Sequence, residues 1–141
     1  MRERDRVRGE LLRFLSAAAE EARLIRACRQ PEEAFLRTHL RSYVLAKLML
    51  PEGSTASQGI RDLLEASLAR MMRTAPELAA ELDTARSCAG ATSVMVKKAL
   101  LFQAMEREFG IELPAREASA AADIPALARL VQRCMEKRER E

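Results

Sequence analysis

The chain has 141 residues, of which 48% are hydrophobic, 32% charged and 4% aromatic, with no tryptophan and a net charge of +3. Five glycines and five prolines are too few for the many turns of a β-sandwich or barrel, and the dominance of Ala, Leu, Arg and Glu predicts an all-α protein instead. One histidine and scattered carboxylates leave little material for a catalytic site, so no enzyme is expected.

Residues 6–29 place Val7, Leu11, Phe14/Leu15, Ala18, Ala22 and Ile25 at three- and four-residue steps, which predicts one amphipathic helix. Its start is charged but nearly balanced: Glu3, Asp5 and Glu10 offset Arg2, Arg4, Arg6 and Arg8, as on a solvated face. Pro31 opens a second helix, with Glu32 and Glu33 at its positive end and Phe35, Leu36, Leu40, Tyr43, Val44 and Leu48 as its apolar set, stopping at Pro51. The short connection predicts an antiparallel helical hairpin over residues 1–50. His39, between Leu36 and Tyr43, reads as a packed or half-exposed side chain rather than a base.

Residues 51–59, Pro-Glu-Gly-Ser-Thr-Ala-Ser-Gln-Gly, lack apolar periodicity and read as a linker. Thr55 and Gln58 could form a capping box for a helix over 58–74, whose Ile60, Leu64, Leu68 and Met72 recur every four residues, supported by Leu63 and Met71. A short helix over Pro76–Arg86 and a small-residue loop over Ser87–Ser93 follow, with Thr92 or Ser93 as N-cap of a helix running from Val94 to Phe109. Gly110 supplies a left-handed C′ position, and Ile111 folds back after it. A short irregular helix over Ala115–Ala122 then leads to Asp123, which caps a last helix burying Ile124, Leu127, Leu130 and Val131, and residues 136–141 form a charged, fraying tail. Met71, Met72 and Met105 fill gaps in a core short of aromatics, or line an adaptable groove.

Cys28, Cys88 and Cys134 are odd in number, far apart and in no CxxC motif, so they read as free thiols in a reducing, cytoplasmic compartment, with no metal site. Leu11–Leu15 is too short for a signal h-region and no apolar run suits a membrane helix, which predicts a soluble protein without a membrane partner.

The string Phe109-Gly110-Ile111-Glu112-Leu113-Pro114, then Glu117-Ala118 and Asp123-Ile124-Pro125-Ala126-Leu127, resembles the C-terminal half of acyl carrier proteins. Upstream, Gly90-Ala91-Thr92-Ser93-Val94 is similar to the family's Gly-x-Asp-Ser-Leu site, whose serine carries 4′-phosphopantetheine. The resemblance implies a four-helix carrier domain over residues 60–135, with Leu64, Leu68 and Met72 on its first helix and the 1–50 hairpin packed on it as an extension. It further implies Ser93 as the attachment point, Thr92 and Gly90 shaping its turn, an acyl or aminoacyl group held as a thioester, and acyl-transferring or ligase enzymes as partners.

Three features depart from that pattern. The family serine precedes the Phe by about 14 residues, a place held here by Met95, so Ser93 fits only with two extra residues near the start of the long helix. Thr92 replaces the Asp, and Lys97 and Lys98 replace an acidic helix start. These departures predict that a phosphopantetheinyl transferase leaves Ser93 unmodified, and they bring forward a second reading, the same fold as a protein-interaction or scaffold module. A third, a small helical nucleic-acid binder, has only Lys97-Lys98 as a local basic cluster and lacks base-reading side chains beside it.

Overall fold

Six helices form the described part of the chain, residues 2–74 and 93–141 of a computed structural model: α1 (Arg2–Ala27), α2 (Glu33–Lys47), α3 (Ile60–Thr74), α4 (Ser93–Phe109), α5 (Ala115–Ala120) and α6 (Ile124–Arg140). The helix expected over Pro76–Arg86, the turn residues Gly90 and Thr92, and Cys88 lie outside the described residues. The all-helical class follows from the composition, and the only β-type pairing among the described residues is one isolated antiparallel bridge between Gly59 and Asp123.

The apolar spacing of α2 places it at the centre. Leu36, Leu40, Tyr43, Val44 and Leu45 are all buried, which takes more than one face of a helix and requires neighbours on several sides. α1 packs along one side of α2 through its C-terminal half, where Ala18, Ala22 and Ile25 are buried, and α6 packs along another. Arg129 of α6 lies 3.5 Å from Glu33 at the start of α2, and Gln132, further along α6, reaches back to the Pro31 carbonyl before α2; the two helices therefore run in opposite directions. α4 packs against both α1 and α3. One continuous apolar cluster takes side chains from residues 18–50 and from 60–135 alike.

Residues 51–59 are non-helical, as their composition predicts, but they are fastened on both sides. Arg41 donates to the carbonyls of Thr55 (2.7 Å) and Ser57 (3.2 Å). The amides of Ile60 and Ile124 donate to Ala122 (2.9 Å) and Gln58 (2.8 Å), joining the starts of α3 and α6. The capping box expected from Thr55 and Gln58 gives way to two short turns: Thr55 Oγ1 accepts from the Ser57 amide, and Ser57 Oγ accepts from the Gly59 amide while donating to Asp62.

Three further expectations are corrected. In α3 the buried set is Ile60, Leu63, Leu64 and Ser67, while Leu68 is half-buried and Met72 is 64% exposed. Each four-residue step overshoots a helical turn by about 40°, so a strict i+4 row winds off the core face within three steps, and Ser67, about two full turns from Ile60, takes the inner place. Its hydroxyl is satisfied by the Leu48 carbonyl at 2.6 Å. α2 ends at Lys47 rather than running to Pro51: Met49 adopts φ 56°, and the Leu50 amide closes onto the Leu45 carbonyl at 2.8 Å. The expected fraying tail is helical to Arg140, because Met135 is buried and Arg138 donates to the Phe109 carbonyl at 2.7 Å, a cation at the negative end of α4.

Candidate functional site

α4 carries the residues singled out by the sequence. Ser93 is its first residue and is half-exposed. The inner face, Leu101, Ala104, Met105 and Phe109, is buried, so the expected row of Leu101, Met105 and Phe109 stacks inward. On its outer side Met95 is 59% and Leu100 55% exposed, beside exposed Gln103 and Arg107.

The lower end of α4 is fixed by a polar cluster under an aromatic pair. The rings of Tyr43 and Phe109 lie 4.8 Å apart at 56°. The Tyr43 hydroxyl donates to Glu108 Oε2 at 2.7 Å, and Lys47 Nζ reaches the same oxygen at 2.7 Å. Burial, followed by the hydrogen bond and charge of Glu108, pushes the Tyr43 hydroxyl far above its ordinary pKa. Sequence reading gave Tyr43 and Phe109 as core but not this cluster; Lys47 one turn after Tyr43 is its local signal, while Glu108 lies too far along the chain to be paired from spacing.

Beyond Phe109, Gly110 adopts φ 68° and the amides of Gly110 and Ile111 both donate to the Glu106 carbonyl, which is the expected helix end. The Glu106 carboxylate also accepts from the Leu113 amide at 3.0 Å, folding the Phe-Gly-Ile-Glu-Leu-Pro string back on α4. Asp123 caps α6 as expected, accepting from the Ala126 amide at 2.9 Å.

The two lysines near the head of α4 are held differently. Lys98 donates to the Ser119 carbonyl of α5 at 3.2 Å and lies 5.8 Å from the Phe102 ring centre. Lys97, one turn after Ser93, is half-buried, and burial lowers its pKa. With Lys47 and Arg107 it lines a groove of about 290 Å³ between the end of α2 and α4.

A second, smaller pocket lies between α1 and α3, walled by Leu11, Phe14 and Met71, so Met71 lines a groove whereas Met105 is core. Arg70 closes it, pairing with Glu10, lying 5.6 Å from the Phe14 ring centre and donating to the Met49 carbonyl at 3.0 Å. His39 is half-exposed, with Nδ1 2.7 Å from Glu21 Oε2 and its ring 4.3 Å from Phe35, a structural setting. Cys28 and Cys134 are free thiols, and among the described residues no three His, Cys, Asp or Glu side chains converge on a metal site. No helix of the described residues is long and apolar enough to cross a membrane. Comparisons with protein-family models, curated proteins and solved structures find no match.

Proposed function

We propose that the chain is a divergent acyl-carrier-protein-like module that works by docking to protein partners, with Ser93 as the residue that would hold an acyl or aminoacyl group on a 4′-phosphopantetheine arm. The observation that carries this reading is the half-exposed Ser93 at the first residue of α4, a helix whose far end runs through Phe109, Gly110 and the folded-back Ile-Glu-Leu-Pro segment into α5 and the Asp123-capped α6. A hydroxyl at a helix N-terminus suits an incoming phosphate, because the first amides and the helix dipole favour negative charge. In this reading α2 takes the place of the carrier's first helix, since it packs along α6 and contributes a buried face, whereas α3 leaves Met72 exposed. α1 and α3 then flank the carrier-like unit.

A second reading, the same fold docking partners without an arm, is favoured by the regular start of α4. The helix is continuous from Ser93, so two extra residues turn Ser93 by about 200° from the carrier register, in which exposed Met95 holds the serine's place. Lys97 and Lys98 in the first two turns also offer a basic surface where a transferase meets an acidic one.

Intact mass after co-expression with a broad-specificity phosphopantetheinyl transferase decides between them. A gain of one phosphopantetheine group that disappears in Ser93→Ala establishes the carrier, and an unchanged mass with the transferase active on a control carrier establishes the armless module.

A further inference from the structure

The ionisable side chains that line the groove between α2 and α4 are Lys47, Lys97 and Arg107, and all are cationic. Lys47 is matched by Glu108 at 2.7 Å. Lys97 has no carboxylate partner among the described residues, and neither does the guanidinium of Arg107. The floor between them is apolar, built from buried Leu48 and Leu101, and its wall is Leu100, which is 55% exposed. Among the described residues the groove thus holds two cations without a carboxylate partner beside a half-exposed leucine.

We propose that this groove is the docking site for an acidic amphipathic helix of a partner protein, whose apolar anchor covers Leu100 and whose carboxylates pair with Lys97 and Arg107. A nucleic acid would supply the negative charge but would set a phosphate backbone against the leucine wall, gaining nothing from its burial. A purely apolar partner would cover Leu100 but bury Lys97 further without a counter-charge, which costs free energy. An acidic helix satisfies both: its side chains fill the leucine-walled groove, and its carboxylates restore the solvation that the half-buried ammonium lacks. Lys97 also lies one turn after Ser93, so a helix docked here borders the head of α4. The inference does not depend on an arm: the sample is the unmodified protein, so the mass measurement at Ser93 and this binding measurement succeed or fail separately.

The test uses a fluorescein-labelled amphipathic peptide of about 15 residues with leucines on one face flanked by glutamates, a matched peptide with lysines for the glutamates, and a labelled DNA duplex. By fluorescence anisotropy, the glutamate peptide should bind, weaken with added salt, and lose at least roughly tenfold in affinity with Lys97→Glu and with Leu100→Ser. The lysine peptide and the duplex should not bind. Lys97→Gln, checked by circular dichroism, serves if the charge reversal disturbs folding, and amide chemical-shift changes in the wild-type protein should centre on Lys97 and Leu100. Absence of binding by the glutamate peptide, equal binding by the lysine peptide, tighter binding by the duplex, unchanged affinity in folded Lys97→Gln, or shifts centred elsewhere would each overturn the proposal.

Discussion

The hydroxyl of Tyr43 in α2 donates to the carboxylate of Glu108 in α4 at 2.7 Å, across 65 residues of sequence. The bond ties the centre of the core to the end of the helix that begins at Ser93, directly beside the Tyr43–Phe109 ring pair. Lys47 neutralises the same carboxylate, so a charge in a largely buried position is matched by one cation and one neutral donor.

Tyr43→Phe should destabilise the protein by about 1–2 kcal/mol, since it removes a donor to a charged acceptor while Lys47 stays in place. Tyr43 is the only tyrosine and there is no tryptophan, so its ionisation is directly visible in the ultraviolet spectrum. Its folded pKa is raised, so its contribution is complete below the unfolded value of about 10 and is lost as pH rises past it. Tyrosinate absorbance should therefore appear together with loss of helical circular dichroism on alkaline titration. Ionisation at an ordinary tyrosine pKa with the helices intact would contradict the burial.

Phe109 is completely buried against Tyr43, and its truncation opens a cavity that surrounding side chains close only in part. Phe109→Ala should cost about 3–5 kcal/mol in urea unfolding. A loss below about 1 kcal/mol would place the ring outside the core.

Gly110→Ala should lower stability by about 1–2 kcal/mol, because an L side chain is strained at φ 68°. The added Cβ would also meet the Arg26 guanidinium at 3.2 Å, but that group is the far end of a flexible chain and can move away. Asp123→Ala should cost about 1 kcal/mol through the lost cap of α6. The two glycine and cap effects should add in the double variant, since they act on different helix ends; thermal unfolding of the three variants checks this.

Lys97→Met should stabilise the protein at neutral pH. Burial lowers the folded pKa of Lys97, so its ammonium is less favourable in the folded chain than in the unfolded one. Relative to its neutral form, stability from this group is present above the unfolded pKa of about 10.4 and is lost as pH falls through the lowered folded value. The advantage of Lys97→Met over the wild type, measured by chemical denaturation, should therefore shrink towards alkaline pH. A stability loss at pH 7 would show that the stem of Lys97 contributes more by packing than its charge costs.

The sequence by itself determined the all-helical class and the helix ends at Gly110 and Asp123. Apolar residues at helical spacing marked α1, α2, α4 and α6, and Gly110 and Asp123 act within three or four residues of themselves, so their hydrogen bonds are written locally. The start of α4 at Ser93 falls within one residue of the start at Val94 that the apolar spacing predicts. Tertiary structure decided which faces meet. Periodicity names an apolar face but not the helix that will cover it, so the pairing of α2 with α6 and the burial of Ser67 in place of Met72 were not readable from spacing. The Tyr43–Glu108–Lys47 cluster, the Arg70–Glu10 pair and the Arg138 contact with the end of α4 join residues far apart in sequence, where no local hydrogen bond or dipole selects the partner. Lys97 shows the division most plainly: the sequence places it one turn after Ser93, and only the tertiary structure makes it half-buried and sets it in a groove with Lys47, from the end of α2, and Arg107.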